Sequence, residues 1–330
     1  MNVMLLAAGR STRLGALGAA LPKPLVPICG YPAIAFGLTA CARAGLARAV
    51  VNVFHHGDVL RETLGAQSQG VSLEYSVEAE LLGTGGGLAL ARPRFDAGAV
   101  LVMNAKVVAN LDLRALLAAH AAGGAHATML LRDDPDARRW GAISADEAGR
   151  VVGILDARSP VPPQGRVTER MFTGIHVLEP ALLDRLRPVA CDVIRDAYIP
   201  ALVAGEEIRA EVLTGYFAEH STPERYLEGN LALLRAPSLL RAPPGPLVGV
   251  EPAAIVQHGA RLGARCRVEA GAVIEAGADV GPDVVVGRGA HVVAGARLHR
   301  VVMWANTVAT ATLENAVVTP DGVVPVAAPV

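Results

Sequence analysis

The sequence is poor in several things that would place it in large protein classes. Aromatic residues make up only 4% of the 330-residue chain, which leaves few platforms for stacking unpaired bases. The net charge is −1, so no global field draws the chain to a polyanion. Nucleic acid is therefore not an expected partner. No apolar run approaches the ~20 residues of a membrane-spanning helix, so no membrane is expected either. No basic stretch leads into an apolar one at the N-terminus, so no secretory leader is read there and the expected address is the cytoplasm. There are four cysteines, Cys29, Cys41, Cys191 and Cys266, without metal-ligand spacing. They read as buried free thiols in a reducing compartment. Charged residues are 18% against 52% hydrophobic, a balance that excludes a disordered chain. The length is enough for two domains with real cores.

What is present begins at the first residue. Residues 1–6 are a short apolar run and read as a buried strand. Leu6, Ala7, Ala8 and Gly9 close it with almost no side-chain volume, so a planar or anionic ligand can touch the backbone there. Ser11, Thr12 and Arg13 follow with hydroxyls, free amides and a permanent positive charge. Lys23 supplies a second cation between Pro22 and Pro24, which stiffen its backbone. Small turn, anion donors and two cations suit a polyphosphate. The plainer reading is a strand–loop–helix turn with two surface cations.

Up to about residue 230, apolar strands alternate with amphipathic helices. Strands are predicted at 3–6, 49–54, 72–76, 99–103, 127–131 and 174–177. Helices are predicted at 32–44, 57–64, 83–91, 111–121, 180–186 and 223–234. This pattern predicts an α/β domain over 1–235 with a mostly parallel, Rossmann-like sheet, and ligands beyond the C-terminal strand ends. Residues 236–249 are proline-rich and read as a linker. Beyond it Val250, Val256, Leu262, Val268, Ile274, Val280, Val286, Val292 and Leu298 recur every six residues. That period predicts a parallel β-helix over 250–330. The period fails after 298, so the last stretch is expected to cap the open end, with Trp304 covering the last coil.

The segment from Leu6 to Leu14 with Pro22-Lys23-Pro24-Leu25 resembles the signature of the sugar-1-phosphate nucleotidyltransferases, L-A-A-G-x-G-T-R-L followed by P-K-P-L. It departs at Ser11, where that family has glycine, and at 15–18. The resemblance implies that Leu6, Ala7, Ala8, Gly9, Ser11 and Thr12 wrap the base and triphosphate, and that Arg13 and Lys23 hold phosphates as the catalytic cations. Glu78 to Gly87 resembles the family's base-recognition segment, with Glu78, Gly83, Thr84 and Gly85 as candidate base contacts. The histidines 55 and 56 end a strand on opposite faces and read as structural. Gly141, Thr173 and Gly174 resemble sugar-facing positions, and Arg158 is the one cation near the place of the family's missing sugar-phosphate lysine. The hexapeptide stretch resembles a left-handed β-helix.

One departure bears on the chemistry. Asn104-Ala105-Lys106 stands where the family has N-G-D, whose aspartate holds magnesium. An ammonium cannot ligate a hard cation. Glu219, in Gly215 to Pro223, matches the second metal aspartate and is a weak metal ligand at most. The resemblance thus implies Mg2+ as cofactor, and Lys106 puts that in doubt. Asn104 and Lys106 remain candidate nucleotide contacts, and Lys106 paired with Glu219 could sit at the ion's place. The expected activity is formation of an NDP-sugar and pyrophosphate from a nucleoside triphosphate and a sugar 1-phosphate. The alternative is a catalytically impaired homologue that binds nucleotide or NDP-sugar and regulates or scaffolds. A third reading, acyl transfer by the β-helix, has His258, His291 and His299 but only about three coils and no carrier loop. The β-helix is expected to mediate a homo-oligomer, or a hetero-oligomer with an active homologue.

Overall fold

A computed structural model of the chain describes residues 1–327. The chain forms two compact units, and each is woven from separate stretches. Among the described residues no helix is long and apolar enough to cross a membrane.

The first unit takes in Met1–Gly9, Gly37–Ala105 and Leu111–Gly215. Its centre is an eleven-stranded sheet. Asn2–Leu6 lies in the middle, parallel to Arg48–Val53 on one side and Val100–Asn104 on the other. Val71–Val77 continues the parallel set beyond Arg48–Val53. Thr168–Leu178 runs antiparallel to Val100–Asn104, and the short strands Ala142–Ala145, Val151–Ile154 and Ala157–Arg158 extend the sheet antiparallel beyond it. Ala127–Arg132 pairs with Thr168–Leu178, and Ile208–Val212 lies parallel to it. The strands and helices of this unit thus form a Rossmann-like α/β arrangement with an antiparallel extension. The core is aliphatic: Met4, Val50, Val100, Val102 and Met129 pack with Leu182, Leu202 and Tyr198.

The second unit takes in Arg10–Phe36, Lys106–Asn110 and the described residues from Tyr216 onward. It therefore holds the loop with Arg13 and Lys23 as well as the hexapeptide stretch. That stretch is a parallel β-helix. Gly249 pairs with Arg267, Cys266 with Val284 and Val273 with His291, eighteen residues on in each case. One coil is thus three hexads. Val268, Ile274, Val280, Val286, Val292 and Leu298 fill the interior and are buried.

The coil does not end where the period is lost. Val284 pairs with Val301 and His291 with Val308, seventeen residues on. Leu298 pairs with Leu313, fifteen residues on. Shorter turns break the count of six while the stack goes on. Gly322–Pro325 then folds back antiparallel on Leu313–Thr319. The expectation for Trp304 is corrected here. It is buried in the side of the stack, and its indole N–H donates to the Tyr226 hydroxyl at 2.9 Å.

Tyr226 belongs to the helix Pro223–Arg235. Thr222 caps that helix, accepting from the Arg225 N–H at 3.3 Å, and proline takes its first position. The helix buries Tyr226, Leu227, Leu231 and Leu234 among Leu14, Leu17, Val26, Ile28, Val302 and Val317. Residues 236–248 hold one 3-10 turn, Pro237–Leu239, and are anchored, with Leu240 and Leu247 buried in the same cluster.

Candidate nucleotide-loop residues and their neighbours

The candidate residues divide between the two units, and each group is held by its own neighbours. In the first unit the Ala7 N–H donates to Asn52 Oδ1 at 2.7 Å. Asn52 Nδ2 in turn donates to Glu78 Oε1 at 2.6 Å, and Glu78 Oε2 accepts from the Leu82 N–H at 3.0 Å. Both oxygens of Glu78 are thus engaged inside the protein. Its place in this structure is to fix Asn52, and through it the turn that leaves the first strand. Asn52 is a residue the sequence reading passed over. The available signal was a buried amide in the otherwise apolar run 50–53.

Asn52→Ala is expected to destabilise the protein by at least about 2 kcal/mol, because it strands a buried amide and a buried carboxylate together. A urea unfolding midpoint indistinguishable from wild type would contradict this.

The glycine run packs closely against another segment of the same unit. A Cβ on Gly83 would stand 2.6 Å from the Cys191 carbonyl oxygen, and one on Gly86 would stand 2.1 Å from that of Val189. A Cβ on Gly85 would meet the Cys191 sulfur at 2.8 Å. These glycines let segment 189–192 lie against the helix Gly83–Ala91. Thr84 serves the same contact. Its hydroxyl donates to Asp192 Oδ2 and accepts from the Val193 N–H, both at 3.0 Å.

Asn104 ends Val100–Asn104 beside Gly174, which has φ +75° and leaves no room for a Cβ against Asn104 Nδ2. The register of Thr168–Leu178 shifts between Phe172 and Ile175, and Thr173 there donates to the Leu130 carbonyl at 2.6 Å. Gly141 also has positive φ, +85°. Arg158 stands apart from Thr173 and Gly174. It lies on the outermost strand of the antiparallel extension, three strand spacings from Thr168–Leu178, roughly 14 Å.

In the second unit Ser11 has φ +59°, the left-handed region that glycine occupies at least cost. That accounts for the glycine of the resembling family at this place. Here the buried Ser11 hydroxyl accepts from the Lys23 N–H at 3.2 Å and ties the two halves of the loop together. Gly18 makes this fit, since a Cβ there would stand 2.4 Å from the Ser11 carbonyl oxygen. Thr12–Leu14 form one 3-10 turn and Lys23–Leu25 another. Two side chains of the helix Pro223–Arg235 hold the chain beyond Lys23. Tyr226 donates its hydroxyl to the Pro27 carbonyl at 2.6 Å, and Asn230 Oδ1 accepts from the Cys29 N–H at 2.7 Å.

Arg13, Lys23, Lys106 and Glu219 form one electrostatic group. Burial, then the charges of Lys106 and Arg13, push the Lys23 ammonium down to about 8. Lys106 is ion-paired with Glu219. Burial alone would raise the Glu219 carboxyl, but Lys106, then Arg13 and Arg225, hold it below its usual range. The strand pair Val107–Ala109 and Phe217–Glu219 sets this meeting, with Val107 opposite Glu219.

This donor set does not fit a divalent cation. The ammonium of Lys106 has no lone pair, and it takes the carboxylate of Glu219, the expected weak metal ligand. Among the described residues no group of three His, Cys, Asp or Glu side chains is placed to hold a metal. The arrangement instead offers three cations against one carboxylate, which suits a highly charged anion.

The family described as nucleotidyl transferase matches residues 2–198. A mannose-1-phosphate guanylyltransferase of Mycobacterium tuberculosis is 32% identical over 269 residues, covering 79% of this chain and 73% of that one. A mannose-1-phosphate guanylyltransferase catalytic subunit beta of Drosophila melanogaster is 27% identical over 276 residues, covering 81% and 72%. Among solved structures, HddC from Yersinia pseudotuberculosis complexed with GMP-PN aligns with TM-score 0.57 at 21% identity, over 70% of this chain and 99% of that one.

Proposed function

The chain belongs to the nucleotidyl transferase family, and on that premise we propose that it transfers a guanylyl group from GTP to mannose 1-phosphate. An oxygen of the sugar phosphate attacks the α-phosphorus in line. The new bond joins that oxygen to the α-phosphorus, the bond to the β-phosphate oxygen breaks, and pyrophosphate leaves with the electron pair. Such a reaction needs positioning and charge neutralisation rather than covalent help.

The observation that carries this reading is the cation cluster of Arg13, Lys23 and Lys106. In this proposal Arg13, Lys23 and Lys106 meet the triphosphate charge. The small residues Leu6 to Gly9, with Ser11 and Thr12, let its body approach the main chain. Asn104, Gly141, Thr173 and Gly174 serve the sugar side. Glu78 acts through Asn52, and the charge role that a divalent cation would fill falls to Lys106. The name catalytic subunit beta, borne by one of the similar proteins, supports assembly of this chain with further subunits.

The test is pyrophosphate release from a panel of nucleoside triphosphates and sugar 1-phosphates. GTP with mannose 1-phosphate is expected to be the fastest pair. A faster pair with another base or sugar would reassign the substrates, and no release with any pair would end the reading.

The reading also sets a pH dependence. Lys23 must carry its proton to meet phosphate, and its ammonium is held near 8. Nucleotide affinity is therefore expected to fall as pH rises through about 8 and to be retained below it. Lys23→Arg keeps its charge and should flatten the profile. A wild-type affinity constant from pH 7 to 9.5 would count against Lys23 as a phosphate ligand.

A further inference from the structure

We propose that the antiparallel end of the sheet in the first unit carries a second anion site, one that takes a small phosphate ester. A cavity of about 670 Å³ opens there, with Arg138, Arg158 and Arg166 in its lining. Its one acidic lining residue among the described residues, Glu169, is already paired with Arg138 at 2.6 Å. Arg166 makes no hydrogen bond or ion pair among the described residues, and Arg158 has no acidic partner among them. The pocket thus keeps two uncompensated guanidinium charges in a chain whose net charge is −1.

The Arg158 side chain is held in place rather than waving in solvent. Its Nη1 donates to the Leu155 carbonyl at 2.6 Å and the Ala157 carbonyl at 2.9 Å. Gly153 makes room for it. A Cβ there would stand 3.2 Å from both Cδ and Nη1 of Arg158, and as close to the Ser144 Cβ. The bare glycine lets Arg158 lie across the sheet toward Ser144, with its Nε and Nη2 edge left for a ligand.

The lining identifies the ligand class. Guanidinium forks beside the hydroxyls of Ser144, Ser159 and Thr168 suit phosphate oxygens. Val152, Val161 and Pro163 add an apolar wall for an uncharged body. The volume lies in the range of metabolite sites and far exceeds a bare ion. The site is not the sugar-facing end of the same sheet. Arg158 shares its row with Gly153, Ser144 and Glu169. Gly174 lies five residues farther along Thr168–Leu178, roughly 15 Å away.

The test is calorimetric titration of the full chain with three probes, mannose 1-phosphate, GMP and inorganic phosphate. At least one ester is expected to fill a class of sites that Arg166→Ala weakens at least tenfold, that Arg166→Lys weakens less, and that Arg13→Ala leaves intact. Inorganic phosphate is expected to bind that class more weakly than the ester. Equal titrations of wild type and Arg166→Ala would overturn the proposal. Inorganic phosphate matching the esters would reduce the pocket to a bare-ion patch. Loss of the same class in Arg13→Ala, or a raised KM for the sugar phosphate in Arg166→Ala, would assign the arginines to the transfer reaction and refute a separate site. Inactivity of the wild type toward every substrate pair would end the functional proposal without touching this one.

Discussion

Arg13→Ala and Lys23→Ala are each expected to lower kcat/KM for nucleotidyl transfer by about 10²–10³-fold, the usual loss when a donor aimed at developing charge is removed. Both side chains can be removed without dismantling the loop that bears them. The Ser11 hydroxyl holds the main chain of Lys23, and Tyr226 and Asn230 hold the residues that follow. A loss of activity would thus report on charge, and an unchanged unfolding midpoint would confirm it. Lys23 is partly buried beside two other cations, so its ammonium is disfavoured in the free protein. An anion that relieves this repulsion binds there with a gain that an isolated surface lysine could not supply. Pyrophosphate release within a factor of three of wild type in both variants would remove these residues from the phosphate site.

The parts of this chain that the sequence made legible are those with local, repeated causes. The six-residue period follows from one aliphatic residue per side of a coil, buried from Val268 to Leu298 and left exposed at Val250, Val256 and Leu262, and it survives only while each coil holds eighteen residues. Once turns shorten, the stack continues without a period to read. Parallel strands were visible where they are unbroken apolar runs, such as 99–103, or alternate as Val71–Val77 does. The antiparallel extension was not, since Ala142–Ala145 and Val151–Ile154 are short, and although they pair with each other locally, what joins them to the sheet is the pairing of Ala142–Ala145 with Thr168–Leu178 farther along the chain.

At the candidate site, the cations Arg13 and Lys23 were legible, because their spacing and the prolines that flank Lys23 are unusual. The glycines at 83–87 show the limit. Glycine signals that something comes close, and in this fold the close neighbour is segment 189–192 for Gly83, Gly85 and Gly86 and the Glu78 and Asn52 side chains for Gly87. Trp304 shows it again, since its partner Tyr226 is 78 residues away.

Lys106→Asp is expected to reverse how the protein meets a nucleoside triphosphate. In the wild type Lys106 is paired with Glu219, and the pair sits with Arg13 and Lys23. Replacing the ammonium by a carboxylate changes the local charge by two units and leaves two carboxylates facing the phosphates. Two like-signed charges a few ångströms apart at a partly buried surface oppose each other by several kcal/mol. Without a divalent cation, GTP affinity in Lys106→Asp should therefore fall by at least about 100-fold, or ~2.7 kcal/mol. Millimolar magnesium should restore much of it, because paired carboxylates and phosphate oxygens together make an oxygen site suited to that ion. Wild-type affinity should change far less between chelator and magnesium. Lys106→Arg, which keeps the charge, should stay close to wild type in both conditions. Calorimetric titration with GTP in chelator and in magnesium separates the outcomes. A wild type that loses affinity in chelator as steeply as Lys106→Asp would show that the ammonium does not take a cation's place. A variant that binds as tightly as wild type in chelator would show that Lys106 does not face the phosphates.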